Sequence, residues 1–401
     1  MMHLFFNGLA ASAGAGLTYF RNVVPELSSR SGAQITVALP ARLLREFRQA
    51  PQVSFVELET SSAARRFWQE QTRLPSLIQS CGADVLISTG NFALRNSPVP
   101  QILLSGNSLY TSAEFYRDLR TRGDFRILLD TRIKAMLAKR SIHWANCTVA
   151  PSETYAQELR RWTSGNVVSI YHGFDPDLFF RDSSSLPLDI RQKLLSEDGA
   201  LRLLFVSHYN YYRNFETLLR AIPMLRDRMA PRKVKLFLTC KLSSGENPGT
   251  YRAEAAAALV RQLGISDQVV ELGAVPYHLL HHIYRASDIY VTPAYAETFA
   301  HPLVEAMASG LPVVASDLDV HREVCGKAAI YFRCFSPEEL ATQVLRIAFS
   351  QDLARTLANH GRSRSQGFSW RNHVDRILSL AYELTASAAS LSRTSRTASD
   401  Q

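Results

Sequence analysis

Two glutamates that stand eight residues apart, Glu297 and Glu305, form the pattern in this sequence best suited to binding a polar ligand. Glu297 lies in a loop of small residues, and Glu305 lies in a short helical pattern that begins near His301 and ends at Gly310. A helix N-terminus that follows a parallel strand binds anions, and carboxylates beside it accept hydrogen bonds from hydroxyl groups. The stretch suits a ligand with a phosphate and several hydroxyls, such as a nucleotide sugar. A crossover helix with two surface glutamates is an equally open interpretation.

Three other loops at predicted strand ends also carry small or polar residues. The glycine-containing loop 8–16 would let backbone approach a ligand closely, and Ser105-Gly106-Asn107 would suit a second substrate. In the loop 207–214, Arg213 is placed to bind a diphosphate through bidentate hydrogen bonds. Taken alone, each of these loops is also compatible with an ordinary turn.

Parallel strands would bring these loops together. In the first half of the chain, strand patterns alternate with helical ones at residues 4–6, 35–39, 53–58, 84–88, 101–104, 147–150 and 167–170. The second half repeats the alternation with strands at 203–207, 234–239, 269–272, 288–292, 312–315 and 328–332. This pattern predicts an α/β protein with two Rossmann-like parallel-sheet domains, whose ligands bind at the carboxyl ends of the strands in a cleft between them.

The composition suggests where these domains begin and end. Residues 1–175 form the predicted first domain and 201–369 the second, and the Asp-, Ser- and Pro-rich segment 176–200 is the predicted linker. A last helix is predicted at 370–386, and the Ser-, Thr- and Ala-rich tail 387–401 is predicted to be disordered.

Length, charge and cysteine usage limit the class of protein. A chain of 401 residues with 46% hydrophobic residues suits two globular domains. Five scattered cysteines predict reduced thiols, with neither a disulfide framework nor a zinc site. The net charge of +9 is dispersed and matches no nucleic-acid module, so no nucleic-acid partner is expected. We expect a cytoplasmic protein, because the N-terminal apolar run lacks a basic flank and no stretch is long enough to span a membrane.

The environment of one basic amphipathic helix, predicted at residues 125–144, stays open between two alternatives. Its apolar residues are expected to face the core of the first domain and its basic residues to face water. The alternative is a helix that rests on a membrane surface, which would place the protein at the inner face of a membrane.

The segment Glu297-TFAHPLV-Glu305, followed by AMASGLPVVAS, resembles the defining motif of the family 4 glycosyltransferases, also described as glycosyl transferases group 1, with the two-domain GT-B architecture. Four further segments resemble other parts of that family, over roughly residues 3–385: GAGLTYFRNVVPEL, APSETYAQEL, YHGFDPDLF and LFVSHYNYYRNFETLLRAI.

The resemblance implies a retaining hexosyltransferase that takes part in polysaccharide biosynthesis. It would move a sugar from a UDP- or GDP-sugar to a hydroxyl of a carbohydrate or lipid-linked acceptor. It would need no cofactor and no metal, because a basic side chain and a helix terminus stabilise the leaving diphosphate. The last helix, 370–386, would return to the first domain.

The resemblance also implies roles for single residues. Glu297 and Arg213 would be catalytic, with Glu297 on a sugar hydroxyl and Arg213 on the diphosphate. Glu305 would accept hydrogen bonds from the ribose. The remaining expected donor contacts are the backbone of Phe299, Ala300 and His301, together with His208, Gly14 and Gly16. Asn107 is expected on the acceptor side.

Three positions depart from the family pattern. His208 replaces an arginine, Ala300 replaces a glycine, and Gly106-Asn107 stands where a histidine is frequent, so no general base is assigned there. Two other functions stay open. A nucleotide-sugar epimerase or phosphorylase could use the same fold, and a basic non-catalytic binding protein is the weaker alternative.

Overall fold

The chain forms two compact units, each built around a parallel sheet. The computed structural model describes residues 1–11, 15–30, 32–47, 52–58, 62–195, 199–247 and 251–399. The first unit comprises Met1–Thr111, Phe125–Gly173 and Ser369–Gln401, and the second comprises Ser112–Asp124 and Phe174–Phe368.

The sheet of the first unit has seven described strands, in the order β3-β2-β1-β4-β5-β6-β7. Every pairing is parallel. The strands are β1 (Met2–Asn7), β2 (Ala33–Leu39), β3 (Val53–Glu57), β4 (Val85–Ser88), β5 (Gln101–Leu104), β6 (Cys147–Ala150) and β7 (Val167–Ser169). Continuous apolar runs such as β1, in which all six residues are buried, are what a sheet covered on both faces requires.

Helices connect these strands and cover the sheet. They are α1 (Ala15–Ser28), α2 (Ala41–Phe47), α3 (Ala63–Thr72), α4 (Leu74–Ser80), α6 (Phe125–Trp144), α7 (Glu153–Trp162) and α17 (Trp370–Ser399). The predicted serine cap of α7 is present, since the Ser152 hydroxyl accepts a hydrogen bond from Tyr155 N at 3.2 Å.

The C-terminal helix α17 belongs to the first unit. Trp370, Val374 and Ile377 lie in the same hydrophobic core as Phe20 of α1. The prediction of a disordered tail from residue 387 is wrong for its described part, because α17 continues to Ser399. The tail contains no glycine or proline and several alanines, so nothing in its composition ends the helix.

The sheet of the second unit has six described strands, in the order β10-β9-β8-β11-β12-β13. The strands are β8 (Leu201–Phe205), β9 (Val234–Leu238), β10 (Val269–Glu271), β11 (Ile289–Thr292), β12 (Val313–Ser316) and β13 (Ala329–Phe332). The chain runs outward from β8 to β10 and then returns to β11 on the other side of β8. Loops that leave β8 and β11 therefore diverge at their carboxyl ends, which is where open α/β sheets bind ligands.

Three helices of the second unit lie in segments that were predicted to belong to the first domain or to the linker. The described helices of this unit are α5 (Ala113–Thr121), α8 (Pro176–Phe180), α9 (Leu188–Leu195), α10 (Phe215–Met229), α11 (Glu254–Gln262), α12 (Leu280–Arg285), α13 (His301–Ala308), α14 (Asp319–Cys325), α15 (Pro337–Ala348) and α16 (Gln351–Ser365). The predicted linker 176–200 contains α8 and α9, whose residues Phe179, Ile190 and Leu194 are buried in the core of this unit. The prediction of a linker is wrong here, because these apolar residues are buried in the core although the residues around them are mostly polar.

The segment Ser112–Asp124 also belongs to the second unit, although the prediction placed it in the first domain. Arg122 donates hydrogen bonds to Asp118 at 2.7 Å and to Glu216 at 2.9 Å. Tyr295 Oη donates to Asp118 at 2.7 Å. These bonds join the α5 segment to the first turn of α10 and to the loop that follows β11.

Candidate functional site

The loops that leave β8 and β11 are hydrogen-bonded to each other. Asn214 Nδ2 donates to the carbonyl of Pro293 at 3.1 Å, and the amide of Tyr295 donates to the carbonyl of Tyr212 at 2.9 Å. Asn214 has a positive φ of 54°, a conformation that asparagine tolerates better than most residues. The two loops therefore form one rigid edge at the reversal of the strand order.

Arg213 and Glu297 meet at this edge. Nη1 of Arg213 donates to Oε1 of Glu297 in a salt bridge, although the two residues lie 84 positions apart in the chain. The other carboxylate oxygen of Glu297 accepts from the amide of Thr298 at 3.2 Å. The guanidinium also lies over the ring of Tyr212, 5.1 Å from its centroid. Among the described residues, the buried Nε of Arg213 has no hydrogen-bond partner, and the side chain as a whole is 20% exposed.

Helix α13 begins directly after the loop that carries Glu297. Its N-cap residue is Ala300, whose methyl group cannot accept a hydrogen bond from the first turn. Ala300 has φ 62° and ψ 66°, the left-handed region that favours glycine. Pro302 lies in the first turn, and Gly310, with φ 76°, ends the helix as the sequence predicted. The N-terminus of α13 thus presents backbone N–H groups at the carboxyl end of β11.

Glu305 lies on α13 and is 5% exposed. Tyr284 Oη donates to its Oε2 at 2.8 Å and to the carbonyl of Pro302 at 3.3 Å. Burial raises the pKa of Glu305 to about 7, and the hydrogen bond from Tyr284 lowers it in part. Near neutral pH this carboxyl is therefore close to the midpoint of its titration.

The other predicted donor-site residues take different environments. Phe299 is buried in the core, with its ring 5.3 Å from that of Phe368 and 5.0 Å from that of His301, so its side chain is structural. His208 lies in the loop after β8. Partial burial and the positive charge of Arg213 lower the pKa of His208, which leaves its imidazole neutral at neutral pH.

One buried histidine that the sequence interpretation missed lies beside this edge. Nδ1 of His321 is 2.9 Å from the carbonyl oxygen of Ser316, the last residue of β12, and therefore donates to it. Among the described residues its Nε2 has no hydrogen-bond partner. Burial and, to a smaller extent, the charge of Arg213 lower the pKa of His321 to about 4, so the ring is neutral. A histidine shortly after a predicted strand was the available signal.

The first unit has an open cavity of about 440 Å³ at the equivalent reversal of its own sheet, between β1 and β4. Its walls come in part from loops after β1, β4 and β5, which contribute Ala10, Asn91, Ser105 and Gly106, and from the start of α1, which contributes Gly16. Gly16, expected to approach the donor, therefore lines this cavity. Gly14 lies outside the described residues.

Asn107, predicted on the acceptor side, does not line this cavity. Its Oδ1 accepts from the amide of Leu109 at 3.1 Å and caps a 3-10 turn, and its carbonyl accepts from Tyr155 Oη at 2.9 Å. The side chain thus holds the loop in shape, and the neighbouring Ser105 and Gly106 reach the cavity instead.

The described walls of the cavity contain two basic side chains and no aspartate or glutamate. Arg66 and Lys134 are the cations, and Lys134 also bonds Asp130 at 2.6 Å. Tyr19 and His373 close one side, where Tyr19 Oη lies 3.1 Å from Nε2 of His373. Burial lowers the pKa of His373 to about 4, so Nε2 accepts this hydrogen bond while Nδ1 donates to the carbonyl of Tyr171. The cavity is therefore largely apolar, with a basic edge.

In the part of the chain that the structure describes, no cluster of three or more His, Cys, Asp or Glu side chains could hold a metal ion. No described helix combines the length and the apolar character that crossing a bilayer requires.

One family model matches most of the second unit. Residues 188–364 match the family model described as glycosyl transferases group 1. A D-inositol 3-phosphate glycosyltransferase from Corynebacterium jeikeium is 31% identical over 207 residues, which cover 51% of this chain and 46% of the relative. The chain thus matches less than half the length of that relative.

Solved structures resemble nearly the whole chain. Sucrose-phosphate synthase from Thermosynechococcus elongatus has a TM-score of 0.75 at 17% identity, covering 96% of this chain and all of that one. Anabaena HepE, solved in complex with UDP-glucose, has a TM-score of 0.69 at 17% identity, with the same coverage. These likenesses confirm the predicted fold class, two Rossmann-like parallel-sheet domains of the GT-B type. The expected donor-site residues 208–305 lie within residues 188–364, which match the glycosyl transferases group 1 family.

Proposed function

We propose that this protein is a retaining glycosyltransferase, which moves a hexose from a UDP- or GDP-sugar to a hydroxyl of a carbohydrate or lipid-linked acceptor. The observation that carries the proposal is the Arg213–Glu297 pair beside the N-terminus of α13, at the carboxyl ends of β8 and β11. This edge combines a fixed positive charge, backbone N–H groups and carboxylates, which are the groups that a nucleotide sugar requires.

Arg213 and the first turn of α13 would bind the diphosphate. The guanidinium is paired with Glu297 while the Arg213 side chain stays 20% exposed, so a phosphate oxygen could bond it without breaking the ion pair. The helix terminus adds partial positive charge at the same edge. When the sugar–phosphate bond breaks, negative charge grows on the leaving diphosphate, and these groups stabilise it. We therefore propose that no metal or other cofactor is needed.

Glu305 and Glu297 would bind hydroxyl groups. A ribose donates hydrogen bonds to a carboxylate more strongly when that carboxylate is charged, and Glu305 titrates near neutral pH. Glu297 would accept from a sugar hydroxyl while it positions Arg213. The backbone of Ala300 and His301 would approach the sugar or phosphate, and His208 would line the same side as a neutral group.

The cavity of the first unit would receive the acceptor. Its volume of about 440 Å³ lies in the range of small-molecule sites, and its apolar walls with basic residues at the edge suit a sugar or a lipid-linked phosphate. Attack by the acceptor hydroxyl on the face that the diphosphate leaves would retain the anomeric configuration. We propose a cytoplasmic location with peripheral contact at the inner face of a membrane.

The test begins with the donor. Thermal unfolding of the pure protein is measured with UDP, GDP, ADP and TDP, and we expect UDP or GDP to stabilise it most. HepE was solved in complex with UDP-glucose, which favours UDP. The matching nucleotide sugar is then incubated with candidate acceptors, and NMR of the product reports its anomeric configuration. An inverted product contradicts retention, and conversion of the donor sugar without any acceptor favours an epimerase.

A further inference from the structure

The outward face of α6 carries four large apolar side chains in one stripe. The exposed fractions are 65% for Phe125, 61% for Leu129, 47% for Ile133 and 50% for Met136. Their spacing of four, four and three residues places them on one side of the helix. Single exposed apolar residues are ordinary on protein surfaces, but a contiguous stripe of four indicates a contact surface.

The inward face of the same helix carries smaller groups. Thr131, Ala135, Ala138 and Ser141 are buried against the first unit, together with Leu128 and Ile142. Four bulky apolar side chains of α6 therefore face outward, more than an ordinary amphipathic surface helix exposes. The expectation that the basic residues face water is confirmed, but the expectation that the apolar residues face the core is wrong for these four.

Positive charge surrounds the stripe. Arg126, Lys139 and Arg140 are exposed on α6, as is Arg132. The helix contains five basic residues and one acidic residue, Asp130, which gives it a net charge of +4. Basic residues around an outward apolar stripe are typical of helices that lie in the interface of an anionic membrane.

We propose that the outward face of α6 docks the protein onto a bilayer that contains anionic lipids. The 20-residue helix is about 30 Å long and would lie parallel to the membrane. Its apolar stripe would enter the boundary between headgroups and acyl chains, and its arginines and lysines would contact the headgroups. This inference rests on the membrane contact named in the proposed function and assigns the surface that makes it.

Charge favours a bilayer over the other candidates for this surface. Two copies of α6 would bring two helices of net charge +4 together, which opposes self-association. Binding to nucleic acid would leave the aliphatic stripe without a function. A second argument for a bilayer comes from the inward side of α6, where Lys134 lines the cavity of the first unit. A lipid-linked acceptor could therefore reach that cavity along the docked helix.

Vesicle co-sedimentation tests the proposal, with phosphatidylcholine vesicles and with vesicles that also contain phosphatidylglycerol. We expect the protein to bind the anionic vesicles and to be released by salt. The double variant Leu129→Gln/Met136→Gln should weaken binding at least about tenfold, because two apolar side chains no longer leave water. The double variant Arg126→Gln/Arg140→Gln should weaken it about thirtyfold, since each charge contributes about fivefold.

The matched control is Leu188→Gln/Phe349→Gln, which changes two apolar residues that are 70% and 69% exposed on the second unit. It should bind vesicles like the unchanged protein. Unchanged melting temperatures, with and without UDP, verify that all variants fold. Absence of vesicle binding, equal loss in the control, dimers that the α6 variants dissociate, or binding of RNA in place of vesicles would each overturn the proposal. Vesicle binding by a protein that binds no nucleotide would instead contradict the proposed function and leave this surface in place.

Discussion

The two sheets carry different groups at the point where their strand order reverses. In the second unit the reversal between β8 and β11 carries an internal ion pair, an uncapped helix terminus and a buried carboxyl. In the first unit the reversal between β1 and β4 opens into a mostly apolar cavity whose described walls contain no carboxylate. The same topology thus places charged groups at one reversal and a mostly apolar cavity at the other. Each prediction below acts on one side of this difference.

The largest effect is expected from Arg213→Ala. Without the guanidinium, the charge that develops on the leaving diphosphate has no fixed partner, so kcat should fall by about 10²- to 10³-fold. Arg213→Lys should recover part of the rate, because a point charge replaces the planar group. Steady-state assays with the nucleotide sugar measure both. Arg355→Ala, on an exposed arginine of α16 that is 3.7 Å from Asp352, is the control and should keep full activity.

Glu305→Gln should stabilise the protein while it weakens nucleotide binding. The pKa of Glu305 is about 7 in the folded protein against an ordinary value of 4.5. A raised pKa of an acid means that its stabilising contribution is complete below about pH 4.5 and is lost as the pH rises through about 7. The free energy of unfolding of the variant, minus that of the unchanged protein, should therefore be larger near pH 8 than at pH 4.5. The increase should be up to about 3 kcal/mol.

Urea denaturation at the two pH values measures this gain, with the exposed Glu246→Gln as the control. Nucleotide affinity should rise with pH around neutrality in the unchanged protein, because the ribose hydroxyls bind the charged carboxylate, and this pH dependence should vanish in Glu305→Gln. A variant that is no more stable near pH 8 would contradict the buried, titrating state of Glu305.

The cavity of the first unit should respond to added volume. A Cβ at Gly106 would meet no atom within 4 Å, so Gly106→Val folds without a clash and places its side chain in the cavity. The added side chain should cost the acceptor one good apolar contact, so we expect the KM for the acceptor to rise by about tenfold. The affinity for UDP should not change. Gly32→Val is the matched control, because a Cβ there also meets no atom within 4 Å. Equal acceptor kinetics in both variants would place the acceptor elsewhere.

The smallest effect concerns the backbone of the site. Ala300 adopts φ 62°, where an alanine costs about 1 kcal/mol or slightly more relative to glycine. Ala300→Gly should therefore keep or raise the free energy of unfolding, by up to about 1 kcal/mol. Ala308→Gly, at the last residue of the same helix, should lower it by up to about 1 kcal/mol. Chemical denaturation separates the two, and a loss of similar size in both would contradict the strained cap.

The second unit was the more predictable from sequence, because its site is built from local signals. Loop 207–214 and the stretch 288–316 each follow a strand within a few residues, so the topology alone brings Arg213 to Glu297. Local signals also start its helices, since the Ser336 hydroxyl caps α15 by accepting a hydrogen bond from Glu339 N at 3.2 Å. His321 was missed because nothing next to it in the sequence shows that β12 and its helix enclose the ring.

The first unit was less predictable, because its cavity is formed by segments that are distant in the sequence. Its cavity combines residues from α3, α6 and α17 with loops after three strands, and such distant contacts leave no spacing to recognise. The limits of α6, residues 125–144, were predicted correctly, but its orientation was not. Apolar residues occur around most of that helix, and Leu128 faces inward while Leu129 faces water, so periodicity could not tell the two faces apart.

The central claim is that the edge between β8 and β11 recognises the diphosphate of a nucleotide sugar through Arg213. Isothermal titration of UDP and of uridine, each to the unchanged protein and to Arg213→Ala, tests it most directly. We predict that UDP binds more tightly than uridine and that the variant loses about 10- to 100-fold in affinity for UDP, since a hydrogen bond to a charged group contributes about 1.5–3 kcal/mol. Uridine affinity should not change. Equal UDP affinity in the two proteins would contradict the account.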